Sequence, residues 1–178
     1  QLTLLKMTKF TTFFALSLFV FAFNSCDAVD ELTEIRVSPD LKAEVDVSIP
    51  EGSSSVNSAI SLDATSNSDV RDNLDKIESV DISGFTYVFK DVEAAAGTTL
   101  SGTLSSGGQS VTLSNIAVAN GTTGTVSSSE AAFLNSLGSS LKSNGKVTID
   151  IDGSLSNDEG ANFTLEITPT WTFLIDVL

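Results

Sequence analysis

The chain has 178 residues, enough for one domain and a leading segment, and it is acidic, with 23 Asp and Glu against 9 Lys and Arg. It has no histidine and one cysteine, which excludes Ser-His-Asp and Cys-His catalysis, an intramolecular disulfide and a zinc site of Cys/His type. No acidic residue precedes Asp27, so setting aside Lys6 and Lys9 leaves 7 basic groups and a formal charge of −16, a field that repels nucleic acid and anionic headgroups.

Met7 is the only methionine, and residues 1–6 read as upstream of the true start. A short basic region with Lys9 leads into an apolar run from Phe10 to Phe23, which is 14 residues long. A membrane-spanning helix needs about 20, so the run predicts a signal-peptide core rather than a permanent anchor. The sole cysteine follows small Ser25, where cleavage would fall. Phe23-Asn24-Ser25-Cys26 resembles the lipobox of bacterial lipoproteins, with Phe23 where that family usually has Leu. The resemblance implies that Cys26 is acylated and becomes the first residue of the mature chain. An ordinary secretory signal with a stray cysteine is the alternative. The acidic stretch Asp27-Ala28-Val29-Asp30-Glu31 looks like the export signal that sends lipoproteins of the Bacteroidota to the cell surface, and it reads equally as a solvated tether. The implied address is extracytoplasmic: outer membrane, lipid-anchored, with the cell surface and the periplasmic leaflet both left open.

After the leader, Leu32 to Val37 reads as a tether ending in a short strand with Ile35 and Val37 in phase. Leu41, Ala43, Val45, Val47 and Ile49 then alternate against Lys42, Glu44, Asp46 and Ser48, the period-two signature of a strand with one buried face. Pro50-Glu51-Gly52 stops it, and Val56 to Leu62 forms a second, Ser-rich strand. Ser68 is placed to cap a short helix whose apolar face is Val70, Leu74 and Ile77. Val80 and Ile82 alternate, but Phe85, Tyr87 and Phe89 continue in the opposite phase, which predicts a β-bulge at Ser83-Gly84. Ala94 to Gly97 is a loop. Leu100, Gly102 and Leu104 form a strand, Ser106-Gly107-Gly108 a tight turn, and Val111 and Leu113 the return strand, extended by Ile116 and Val118 after a further phase slip. Asn120 to Gly124 is a loop.

Ser127 and Glu130 have capping-box spacing ahead of Phe133, Leu134, Leu137 and Leu141, with Lys142 near the end and Gly145 at the stop. This predicts a helix over about 128–143, lying across the end of the strands. Val147, Ile149, Ile151 and Leu155 then alternate with Asp150 and Asp152. From Phe163 to Val177 every odd position is apolar or proline. With Asn157-Asp158-Glu159-Gly160 between them, the two runs predict a long antiparallel hairpin with a loop of three or five residues, Gly160 taking a left-handed conformation. Pro169 places that last strand at an edge or at a bend.

The fold class is therefore mainly β: an antiparallel β-sandwich of seven or so strands with two short helices, a small closed barrel being the other option. The architecture resembles immunoglobulin-like domains. The division is 1–25 for upstream residues and signal peptide, 26–38 for an acidic tether, and 39–178 for the sandwich.

Chemistry-bearing motifs are few. Ser139-Ser140-Leu141-Lys142 matches the S-x-x-K nucleophile motif but lacks any S-D-N or K-T-G partner. Gly138 to Lys146 fails the P-loop spacing and its strand-to-helix order. Asp150, Asp152, Asp158 and Glu159 are the candidate metal ligands, for an irregular Ca2+ site; the EF-hand pattern fails because its twelfth position is Ala161, and solvated strand polarity is the competing reading. A two-carboxylate glycosidase is the remote enzymatic option. Beyond the leader, five phenylalanines, Tyr87 and Trp171 remain, and their strand phases make them core rather than a sugar platform. The functional expectation is a non-enzymatic envelope lipoprotein, a structural or protein-interaction module held by lipid on Cys26. It has no cofactor unless Ca2+ is one, an unidentified protein or glycan as partner, and no nucleic acid. A glycan- or Ca2+-dependent ligand-capture module is the alternative.

Overall fold

The apolar alternation at the end of the chain becomes one strand of 16 residues, Ala161–Asp176, with its odd-numbered side chains buried from Ala161 to Ile175. The computed structural model describes residues 34–177. The leader, Cys26 and the acidic stretch Asp27–Glu31 lie outside the described residues. Arg36–Ile175 form one compact unit, and the other unit, Gln1–Ile35 with Asp176–Leu178, falls almost wholly outside them.

Among the described residues nine strands run in chain order: β1 Glu34–Val37, β2 Ala43–Ile49, β3 Ser55–Asp63, β4 Ile77–Ala94, β5 Thr99–Ser106, β6 Gln109–Ala117, β7 Thr123–Val126, β8 Lys146–Leu155 and β9 Ala161–Asp176. Within the same residues two α-helices join them, α1 Ser68–Asp72 and α2 Ala131–Asn144. One sheet has the order β1-β9-β4-β7, with β2 also paired to β9; the other has the order β3-β8-β5-β6. The predicted class, a mainly β antiparallel sandwich with two short helices, is the observed one.

The connectivity is more specific than the alternation alone could say. β2 pairs β9, β3 pairs β8, β4 pairs β7 and β5 pairs β6, all antiparallel. Those are the pairs of one long hairpin closed at Gly107-Gly108, rolled up so that successive pairs fall in alternate sheets. Contacts of β4 with β9 and of β5 with β8 complete the roll. This is the jelly-roll arrangement of two sheets.

The predicted hairpin of the last two strands is therefore corrected. β8 and β9 lie in different sheets, and residues 156–160 cross between them. The periodicity identified which side chains are buried but not whether two buried faces adjoin in one sheet or oppose one another across a core. The connection does have five residues, and Gly160 is left-handed at φ 77°. Pro169 is corrected too: β9 is an interior strand. Pro169 pairs with Phe85 on one side, while on the other β2 stops at Ala43↔Ile167 and β1 has ended at Val37. The lost N–H falls where the neighbouring strand changes. The indole Nε1–H of the buried Trp171 donates to the carbonyl of Pro39, in the link between β1 and β2, at 2.7 Å.

Both predicted phase slips are bulges. The β4/β9 register shifts between Ile82 and Gly84, and the β5/β6 register shifts where Ser114 and Asn115 oppose Ser101, with Asn115 at φ 54°. β7 occupies part of the predicted 120–124 loop. Only Val126 of its four residues is buried, too little for a periodic signal. The phenol of Tyr87 lies over its partner Gly124, and any Cβ there would overlap the ring.

Asn67, not Ser68, caps α1, its side chain accepting from the N–H groups of Asp69 and Val70. The capping box before α2 does not form. Ser127 bonds Ser129 instead, and a 3-10 turn over Ser128–Glu130 leads into the helix. Phe133, Leu134, Leu137 and Leu141 are buried, as their spacing predicts, and Gly145 ends the helix at φ 66°. α2 bridges the two sheets at one end: Gly138 lies against the Val80 carbonyl of β4, and Ser136 donates to Ser106 of β5.

Leu137 is fully buried in this bridge. Leu137→Ala should lower stability by about 2–5 kcal/mol. Lys142→Ala, exposed on the same helix, should stay within about 0.5 kcal/mol. Urea denaturation of the two variants checks the contrast.

Candidate functional site

The four candidate metal ligands are not gathered. Asp150 and Asp152 lie on the outer face of β8, where Asp152 accepts from Asn57 Nδ2 of β3 at 2.9 Å. Asp158 and Glu159 lie in the 156–160 crossing, beside the β2–β3 turn: the N–H of Gly52 donates to the Asp158 carbonyl at 2.7 Å. The crossing directs its acids to the end of the sandwich while the strand keeps its own on the flank. Among the described residues no group of three or more His, Cys, Asp or Glu side chains converges to hold a metal ion.

Glu159 does join a different feature. The β2–β3 turn, the end of β4 and the 156–160 crossing meet around a cleft of about 520 Å3 that carries Glu51, Glu93 and Glu159 on its walls. Ser48 donates to Asn162 Oδ1 at 2.7 Å, and Asn162 Nδ2 donates to Glu93 Oε2 at 3.4 Å. The polar side chains of the lining are three carboxylates, the Asn162 amide and the one hydroxyl of Ser48, set among alanines, Ile49 and Pro50, and the carboxylates suit a polyhydroxylated or cationic ligand. Glu51 and Glu93 are 42 positions apart in sequence, and only the strand pairing brings them to one rim.

A second charged feature escaped the periodicity argument. Glu166 lies on the outer face of β9 yet its side chain is only 8% exposed. It accepts from Lys90 Nζ of β4 at 2.6 Å and from Lys42 Nζ, just ahead of β2, at 3.3 Å; Lys90 also reaches Glu44 of β2 at 3.0 Å. Lys90 above all holds the Glu166 carboxyl below the ordinary carboxylate range, against the opposing pull of burial, with Lys42 adding to the effect. Glu166 in turn, with Glu44, pushes the Lys90 ammonium up. The signal was in the sequence: Glu166 is the one charge in the outward phase from Asn162 to Leu174. The knot ties three strands together.

Ser139, of the S-x-x-K match, donates its hydroxyl to the Asn135 carbonyl within the helix at 2.9 Å. Every aromatic side chain from Phe85 to Phe173 is buried. Edge contacts such as Phe85–Phe133 at 6.4 Å and Trp171–Phe173 at 5.4 Å bind them into the core.

No protein-family model matches the chain, and no curated protein matches it in sequence. Among solved structures, it is similar to the decameric BFDV capsid protein at 7% identity, covering 78% of this chain and 99% of that one with a TM-score of 0.44. It is similar to a capsid chain of cyanophage Pam1 at 10% identity, covering 75% and 85% with a TM-score of 0.43. It is similar to FLHE at 12% identity, covering 78% and 97% with a TM-score of 0.38. These likenesses are distant, and the jelly-roll assignment stands on the strand pairing alone.

The depressed folded-state pKa of Glu166 makes its ion pairs a pH-dependent stabiliser. Their contribution is present above the ordinary value of 4.5 and is lost as pH falls from there through the lower folded value. Glu166→Gln should lower stability at neutral pH and flatten its decline on acidification. Urea midpoints from neutral pH to pH ~3, for both proteins, check this.

Proposed function

We propose that this chain is a non-enzymatic lipoprotein of the cell envelope, carrying a β-sandwich that acts as a structural or protein-interaction module at the outer membrane or cell surface. The observation that carries the reading is the sole cysteine, Cys26, closing a 14-residue apolar run after small Ser25. Each buried acyl methylene is worth about 0.8 kcal/mol, so two or three chains on Cys26 hold the domain on a membrane almost irreversibly. Seven residues separate Cys26 from Glu34, and even fully extended they reach roughly 25 Å, which keeps the sandwich close to the surface. The acidic surface supports a self-repelling, soluble domain with little attraction for anionic headgroups.

Cys26→Ala should move the protein from the membrane to the soluble fraction. Retention of the variant on membranes overturns the anchoring. Protease shaving of intact cells then reads the leaflet: digestion of the domain supports surface export through Asp27–Glu31, and protection assigns a periplasmic site instead.

A second reading, ligand capture, is favoured by the end cleft with Glu51, Glu93 and Glu159. Its ligand would be a glycan. A melting-temperature rise with a glycan, lost in Glu159→Gln, supports it, and a flat response across a broad panel, with and without Ca2+, removes it.

A further inference from the structure

A strand at the edge of a sheet presents unpaired N–H and C=O groups, and proteins commonly guard such edges with charge, proline, bulges or brevity. The edges of this sandwich are guarded with one exception. β1 and β7 have four residues each. β2 carries Glu44 and Asp46 and runs into Pro50. β6 is broken by the bulge at Ser114-Asn115, where Asn115 is left-handed. β3 has none of these devices. Its nine residues pair with β8 in an unbroken register from Ser55↔Ser154 to Asp63↔Lys146, and Ser55 to Leu62 contain no charge and no proline. Among the described residues, no strand pairs with its other side.

From this edge we infer that β3 is a docking strand for a second copy of the same chain, joined by antiparallel β3–β3 pairing about a two-fold axis at Ala59. The strand is self-complementary in that register. Antiparallel pairing keeps buried faces together only when partners have the same parity. A two-fold axis at Ala59 meets the condition and sets Val56 beside Leu62, Ser58 beside Ile60, and Asn57 beside Ser61. Val56, Ile60 and Leu62 then stay on the buried face, and Ser55, Asn57, Ala59 and Ser61 on the exposed one. Within the paired strands no like charges meet: their only charge, Asp63, falls opposite Ser55 of the other copy and is already held by Lys146 Nζ at 2.8 Å, while on β2, which lies against β3, Glu44 is held by Lys90 and Asp46 by Thr164. The chain is otherwise strongly acidic, so a neutral edge is where another copy can approach without facing a row of carboxylates. The result is an isologous dimer whose two β3-containing sheets become one.

Sedimentation of the full chain in detergent tests this, with Ala59→Lys and Thr112→Lys as variants, the latter on exposed β6. The expected result is a protein of twice the monomer mass. Ala59→Lys puts two ammonium groups face to face and should leave only monomer, whereas Thr112→Lys should leave the dimer intact. A second measurement does not depend on the lysine variant folding. In a Cys26→Ser background, Ala59→Cys should oxidise to a covalent dimer, because cross-strand Cα atoms about 4.5–5.5 Å apart suit a disulfide, and Thr112→Cys should not. Wild-type protein that stays monomeric at every concentration, a dimer that survives in well-folded Ala59→Lys, or cross-linking through Thr112→Cys in place of Ala59→Cys overturns the proposal.

Discussion

The structure depends on β9 burying one face along its whole length while it is paired on both sides. Ile167, Phe173 and Ile175 are fully buried, and Phe163, Leu165 and Trp171 nearly so. β9 pairs with β4 from Ala161 to Ile175 and with β2 from Ala161 to Ile167. Each fully buried aliphatic or aromatic side chain contributes about 1.5–3 kcal/mol, so this single strand supplies a large part of the burial that opposes chain entropy. β9 fixes the register of β2 and, together with β7, that of β4: slipping either by one residue would turn its apolar face to water. Through them it also sets the end cleft, whose walls are the ends of β2, β4 and β9 and the loops that join them.

What the sequence made legible follows from that constraint. Period-two burial was readable wherever a strand had one wet face, which is why β2, β3, β8 and β9 and both bulges were predicted near their true positions. Pairing was not readable, because Leu155 and Phe163 are equally buried whether their strands adjoin or oppose each other. β8 and β9 oppose. β7 was invisible for a local reason: Thr-Gly-Thr-Val offers a single buried side chain, and its place depends on Tyr87 lying over Gly124. The capping box is absent because the α-helix starts only at Ala131: the Ser127 hydroxyl bonds that of Ser129, and a 3-10 turn over Ser128–Glu130 takes the place of the expected first turn. At the sites, the separation of Asp150 and Asp152 from Asp158 and Glu159 arises from the same crossing between sheets. Proximity in sequence suggested one cluster where the fold makes a flank and an end.

The knot at Glu166 shows how an interior strand tolerates an acid. A carboxylate on the central strand of a sheet is crowded by neighbours on both sides and loses water, which disfavours the charged form. Lys90 from one neighbour and Lys42 beside the other restore the lost interactions with hydrogen bonds that carry charge. Because the two lysines come from opposite sides of β9, the acid acts as a clasp across three strands. An exposed ion pair of the same composition would contribute little. Two of the few cations, Lys42 and Lys90, thus serve Glu166 on the strand that organises the fold, while Lys146 of β8 serves Asp63 at the end of β3.

That allocation shapes the outside of the molecule. With Lys42, Lys90, Lys146 and Arg71 committed to carboxylates, the remaining surface charge is predominantly negative, and the field extends roughly 8–10 Å at physiological salt before screening removes it. An approaching acidic body, including another copy of this chain, is repelled at long range and can be held only by short-range contacts. Backbone hydrogen bonds at a neutral strand edge are such contacts, and they carry no net charge to be opposed. The edge of β3 is built of Ser, Asn, Ala and apolar residues, and the one acid at its end is neutralised by Lys146 across the β3–β8 ladder. The acids of β2, the bulge of β6 and the shortness of β1 and β7 guard those edges and leave β3 as the side of the sandwich on which the ladder can continue.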